Sequence, residues 1–147
     1  MESKSVENKS YKESIAITAS PEAVFKALSL HIDEWWGGVD KLINQEGDVF
    51  RVSWGEPWYQ FKVLEYRPNH KLTWECTDAN QIINGLQGVQ KEWVGTKLHW
   101  EIERKENEVI LSFEHLGLTP QMICYDTCSS VWSDFISRSL KHYLEGE

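Results

Sequence analysis

Few side chains in this 147-residue sequence are spaced so that they could do chemistry. His115 is the sharpest polar candidate. It ends the alternating run Val109, Leu111, Phe113, His115, on the face that run buries. There an imidazole either bonds a ligand's head group or serves as a satisfied structural histidine. Cys124 and Cys128 stand one helical turn apart, and Cys76 lies on the inward face of a strand. With His115 they could be drawn as a soft metal site, but no CxxC or HExxH spacing supports one, so no metal is expected. A 124–128 disulfide is disfavoured, because side chains in the middle of a helix point past each other. Glu65 and Glu75 flank core strands, and either would be a general-base candidate if it turned inward. The sequence has no glycine-rich phosphate loop, serine elbow or nucleophile–base pattern. No catalytic residue and no cofactor is assigned, and the chain leans away from being an enzyme.

The stronger signal is eight tryptophans. Trp is too large to be buried cheaply in numbers, so such a set either fills an oversized core or lines a cavity. Trp54, Trp74 and Trp100 fall on inward strand positions, Trp132 on the stripe of the last helix, and Trp35 and Trp36 on a short helix that closes one end. The expected lining of a ligand cavity is Trp35, Trp36, Trp54, Trp74, Trp100, Phe113, His115, Cys124, Cys128, Trp132 and Phe135. Small residues under the helix (Cys124, Cys128, Ser139) would leave space there. If the rings meet in the middle, the fold stands and the central cavity closes.

Alternation and punctuation supply the elements that hold these residues. Residues 11–18 alternate as a strand. Ser20-Pro21-Glu22 caps and starts a helix, and a second short helix comes next over residues 30–36, ended by Gly37-Gly38. Strands are expected over residues 47–54, 58–66, 71–77, 93–104 and 109–115, the last two joined by a hairpin turn at residues 105–108. The polar residues 78–92 break the rhythm, and a loop that long is either a functional cover or a tolerated insertion. Thr119-Pro120 opens a final amphipathic helix to about residue 144, with Cys124, Cys128, Val131, Trp132, Phe135, Ser139 and Tyr143 at helical spacing. The order implies an α+β domain over residues 11–147, a curved antiparallel sheet of about six strands gripping a long C-terminal helix, behind a flexible tail at residues 1–10.

Bulk properties exclude several partners. With 23 acidic against 15 basic side chains the net charge is −8, which disfavours nucleic acid and anionic membranes. Neither a secretory leader nor a bilayer-spanning run is evident. An odd cysteine count fits reduced thiols, hence a cytoplasmic location. A monomer or weak dimer is expected.

The segments Ala19-Ser20-Pro21-Glu22-Ala23-Val24-Phe25-Lys26-Ala27-Leu28, Trp35-Trp36-Gly37, Phe113-Glu114-His115-Leu116-Gly117-Leu118 and residues 132–144 together resemble the SRPBCC, or START-like, helix-grip superfamily. Within it the chain looks like the group named after the C-terminal domain of the activator of the heat-shock protein 90 ATPase. The resemblance covers residues 11–145 and implies a helix-grip fold with a deep cavity between sheet and helix. Relatives use that cavity for lipids, sterols, polyketides or hormones, and with the tryptophan set the expected function is binding of a small hydrophobic or aromatic, lipid-like molecule. The alternatives are an interaction protein with a chaperone as partner, or a polyketide cyclase/hydrolase-like enzyme. The co-chaperone proper carries a separate N-terminal domain for which this chain has no room, and residues 78–92 are longer than the family minimum.

Overall fold

The computed structural model describes residues 10–146. Seven strands form one antiparallel sheet in the order β1-β7-β6-β5-β4-β3-β2. They are β1 (Tyr11–Ile17), β2 (Gly38–Val39), β3 (Val49–Ser53), β4 (Trp58–Arg67), β5 (Lys71–Asn80), β6 (Lys97–Lys105) and β7 (Glu108–Leu116). The seventh, unexpected strand is the two-residue β2, too short to carry any alternation. Each long strand alternates as anticipated. Phe50, Val52, Phe61, Val63, Leu72, Trp74, Leu98, Trp100, Leu111 and Phe113 all turn to the concave side and are buried. Register shifts between β4 and β5, at Gln60/Phe61 and Val63/Glu65, sharpen the curl.

The helix α1 (Pro21–Ser29) starts as its sequence dictates, with Ser20 Oγ accepting from Ala23 N–H at 3.1 Å and Pro21 in the first turn. The second expected helix shrinks to one 3-10 turn, Ile32–Glu34, tied by Glu34 N–H to His31 C=O and Trp35 N–H to Ile32 C=O. Gly37 then does more than end a helix. A Cβ there would sit 2.6 Å from the Trp54 indole, so only glycine lets that ring lie flat on the chain.

The C-terminal helix departs from expectation in two ways. It begins at Tyr125 rather than after Thr119-Pro120, where the chain instead makes turns closed by Met122 N–H to Thr119 C=O and Tyr125 N–H to Met122 C=O. Its middle, Phe135–Leu140, is π-helical between the α-helical stretches Tyr125–Asp134 and Lys141–Glu145. The reason lies in the buried set, which is Cys124, Cys128, Trp132, Ile136 and Leu140. Strict four-residue spacing drifts by about 40° per step around an α-helix, and a wider π turn cancels that drift. Val131 and Tyr143, assigned to the stripe from sequence, are instead partly exposed. At its far end the helix is anchored to β1 by Lys141 Nζ on Ala16 C=O at 2.6 Å and by Thr18 N–H on the Glu145 carboxylate at 2.8 Å.

Of the expected tail only Ser10 lies within the described residues. It is buried, and its hydroxyl accepts from Gly117 N–H at 3.0 Å. No described helix is long and apolar enough to cross a membrane.

Candidate functional site

The centre of the grip is filled. Trp74 and Trp100 on the sheet are 5.5 Å apart between ring centroids, Trp132 on the helix reaches Trp100 at 5.9 Å and Phe113 at 4.5 Å, and Trp36 lies 5.0 Å from Trp132. Trp35 stacks on Trp36 and donates its indole N–H to Ala27 C=O. Trp35, Trp74, Trp100 and Phe113 therefore sit beneath any remaining space. The indole N–H groups of Trp74 and Trp100 are buried with no hydrogen-bond partner among the described residues.

His115 is fully buried and its tautomer is set by its neighbours. Trp132 Nε1–H can only donate, so His115 Nδ1 accepts it, at 3.0 Å. Nε2 then carries the proton and donates to Thr96 Oγ1 at 2.8 Å, while Thr96 donates its own hydroxyl to Trp93 C=O at 2.6 Å. Both ring nitrogens are thereby used. Burial drives the imidazole pKa down to about 3, so it is neutral at physiological pH. The structure thus gives His115 the structural role: it ties the helix to the sheet and has no free valence for a ligand.

The remaining space is a pocket of about 340 Å³ at the N-terminal end of the C-terminal helix. One wall is the helix face of Thr127, Cys128, Val131, Trp132 and Phe135. The opposite wall is Trp36, Trp54 and Tyr59, with Pro57 at the turn before β4. Trp54 is fixed by its Nε1–H to Trp36 C=O at 2.8 Å. The third wall comes from the segment after β5: Gln81, Ile82, Ile83 and Trp93. Of the residues anticipated from sequence, Trp36, Trp54, Cys128, Trp132 and Phe135 line the pocket, while Trp35, Trp74, Trp100, Phe113, His115 and Cys124 do not.

Tyr59, Gln81, Ile82, Ile83 and Trp93 were not anticipated, and residues 81–96 supply most of them. β5 runs three residues further than its alternation suggested, and the chain beyond it forms a tied strap. Gln81 is buried: its N–H bonds Gln90 C=O, its amide N–H bonds Val89 C=O at 2.9 Å, and its amide oxygen accepts the Tyr59 hydroxyl at 2.6 Å. Trp93, read as the start of a strand, sits in a turn and stacks face to face on Tyr59 at 4.0 Å. Burial pushes the Tyr59 phenol well above its ordinary range, so its proton stays on that bond. The strap also reaches the helix. The Glu92 carboxylate accepts Ile123 N–H at 2.8 Å and Cys124 N–H at 3.0 Å, capping a start that has no local side-chain cap.

The pocket floor holds sulfur. Cys128 Sγ lies 2.7 Å from Cys124 Sγ and 3.3 Å from the Gln81 amide oxygen, and it receives Trp93 Nε1–H at 3.4 Å. All three cysteines are free thiols. Cys128 donates to Cys124, which holds Cys124 below the ordinary thiol range and Cys128 well above it. Cys76, apart from the pair, bonds Asp78 C=O and is pushed up to about 12 by burial. No group of three or more His, Cys, Asp or Glu side chains fit to hold a metal ion occurs among the described residues. Glu65 pairs with Arg67 and Lys71 at the surface, so it is no buried base. A wider furrow of about 610 Å³ on the sheet's outer face, between Lys12, Lys71, His99 and Glu114, is open and charged.

No protein-family model and no curated protein matches this sequence. Solved structures do. The chain is similar to the Aha1 dimer from Colwellia psychrerythraea, at 25% identity and a TM-score of 0.74 over 91% of this chain and 94% of that one. It is similar to protein MLL2253 from Mesorhizobium loti at 19% identity, with a TM-score of 0.72 over 91% and 96%. It also matches DynU16, from the dynemicin biosynthetic locus, at 14% identity and a TM-score of 0.72, over 95% of this chain and 48% of that one. Together with the seven-stranded sheet curled on a 21-residue helix, these likenesses place the chain in the Aha1-like, START-like helix-grip fold.

Proposed function

We propose that this protein binds a small, flat, largely apolar molecule in the pocket between Trp54, Trp93 and the C-terminal helix. The observation that carries the reading is a preformed 340 Å³ space walled by Trp36, Trp54, Tyr59, Trp93, Trp132 and Phe135. That size and lining fit a one- to three-ring aromatic or a short acyl chain better than a sterol, since ligand pockets for drug-sized molecules run from about 300 to 1,000 Å³. Stacking on indole faces supplies affinity, and Thr127 adds a polar side chain to the lining. His115 is neutral and fully bonded, and Tyr59 keeps its proton, which favours binding over a cyclase's acid–base chemistry at this pocket.

Titration with a panel of aromatic acids, flavonoid-like polycycles and fatty acids of graded length, monitored by intrinsic tryptophan fluorescence, tests this. A ligand that stacks on Trp54 and Trp93 quenches part of the emission. The quench is lost in Trp54→Leu, which removes a ring partly buried at the edge of the core rather than within it. A flat response across the panel sinks the reading.

A second reading, interaction with a chaperone ATPase, is favoured by the likeness to the Aha1 structure. It predicts a change in the ATP turnover of a purified chaperone on adding this chain, and an unchanged rate removes it.

A further inference from the structure

Cys124 and Cys128 were expected to point past each other, yet their sulfurs converge at 2.7 Å. The convergence comes from where the helix starts. Cys124 is the residue before the first helical one, with φ −84° and ψ 1°, so its side chain leans along the axis toward Cys128 instead of joining the helical fan. Cys128 N–H to Cys124 C=O at 2.7 Å holds the two on one turn, and Glu92 pins the Cys124 backbone from the other side. One thiol, Cys128, is thereby presented at the floor of an aromatic pocket, with Cys124 buried in contact with it.

We infer that Cys124 and Cys128 form a dithiol site for a trivalent, monosubstituted thiophilic metalloid, an organoarsenical, whose organic group occupies the aromatic pocket. Coordination chemistry selects this class. Zinc and its like need four ligands, and no third His, Cys, Asp or Glu joins the pair among the described residues. A linear two-coordinate ion needs its sulfurs on opposite sides, a spread that one helix turn does not permit. A pyramidal trivalent centre bonded to one carbon needs two sulfurs nearly at right angles, hence almost in contact. The third position is the carbon substituent, and the space it would enter is walled by Trp54, Tyr59, Trp93 and Phe135. Trp93 Nε1–H supports charge on Cys128 sulfur as its proton leaves.

The step balances without an oxidant. Two S–H bonds and the arsenic–oxygen bond of an aryl arsenoxide break, two arsenic–sulfur bonds form, and both thiol protons leave with the oxygen as water. Arsenic stays trivalent. The site uses the pocket for access and so rests on the ligand-binding reading, but its chemistry has its own readout.

The full chain, kept reduced with a phosphine, is mixed with one equivalent of phenylarsine oxide and challenged with excess glutathione. Intact-mass spectrometry is expected to show one adduct that resists the monothiol and is removed by a dithiol. The adduct is expected on the tryptic peptide of residues 106–138, which holds both cysteines, and not on the peptide carrying Cys76. Cys76→Ser keeps it, while Cys124→Ser and Cys128→Ser each lose glutathione resistance. Peptide mapping of the wild type keeps the test decisive if a serine variant fails to fold. No resistant adduct on the folded wild type, or an adduct mapped to Cys76, overturns the proposal. An adduct formed by a chain that binds none of the apolar panel supports the dithiol site and overturns the pocket reading alone. Apolar binding without an adduct does the reverse.

Discussion

At the scale of single residues, His115 is the side chain whose meaning changes most once its partners are known. From sequence it is an imidazole on an inward strand face, open to catalytic or binding use. In the structure Trp132 and Thr96 take both nitrogens. The energetic consequence is a pH dependence. The folded chain keeps His115 neutral down to about pH 3, whereas the unfolded chain protonates it near the ordinary value of about 6.5. Between those values the unfolded state binds the extra proton, so stability falls as pH falls, by about 1.4 kcal/mol per unit. His99, also held down chiefly by burial, pulls in the same direction more weakly because it is only partly buried. The measurement is therefore a comparison. Urea midpoints at pH 7.0, 6.0 and 5.0 should drop in the wild type and drop by much less in His115→Gln, which keeps the shape and cannot charge. Equal slopes in the two proteins would rule out the buried neutral imidazole.

At the scale of elements, the sheet was legible and the strap was not, for one reason. A strand half-buried in a sheet must alternate, so Leu98, Trp100, Ile102 and Val109, Leu111, Phe113 announce both the element and its inward face. The strap of residues 81–96 is held by hydrogen bonds from Gln81 and by the stacking of Trp93 on Tyr59. Neither leaves a period. The signal available was compositional: Ile82, Ile83, Val89 and Trp93 are too apolar for a solvated insertion. The helix start misled for a related reason. Thr119-Pro120 has the residues of a cap, but the N–H groups at Ile123 and Cys124 are satisfied by Glu92, some thirty positions upstream, which no local pattern reveals. Glu92→Ala should then behave like the loss of an N-cap. We expect a destabilisation of about 1 kcal/mol in denaturant melts, with faster amide exchange at residues 81–96 and 122–128 than in the rest of the helix. Exchange that rises evenly along the chain would show that Glu92 does not latch the strap to the helix.

At the scale of the whole molecule, the fold uses its tryptophans in two ways. One group, Trp74 and Trp100, closes the centre of the grip and carries stability. A second, Trp54 and Trp93 with Tyr59, walls a pocket displaced toward the end of the helix, and Trp36 and Trp132 belong to both. Stability and binding should therefore be separable, and a residue on the rim that the core does not need can separate them. Val131 is 44% exposed on the helix face that borders the pocket. A tryptophan there displaces no core atom, and its ring can lie across the pocket mouth against Phe135. Val131→Trp should melt at or slightly above the wild-type temperature, since it covers apolar surface and opens no cavity. It should also lose the stabilisation a ligand confers, which for the wild type reaches about 2.7 kcal/mol when free ligand is at a hundred times its Kd. Thermal melts of both proteins with and without the best ligand from the fluorescence panel read this directly. Retained stability with a vanished ligand shift places the binding site where the second group of rings stands. A ligand shift that survives the substitution would mean that the molecule enters elsewhere, and the filled centre between Trp74, Trp100 and Trp132 would have to open to admit it.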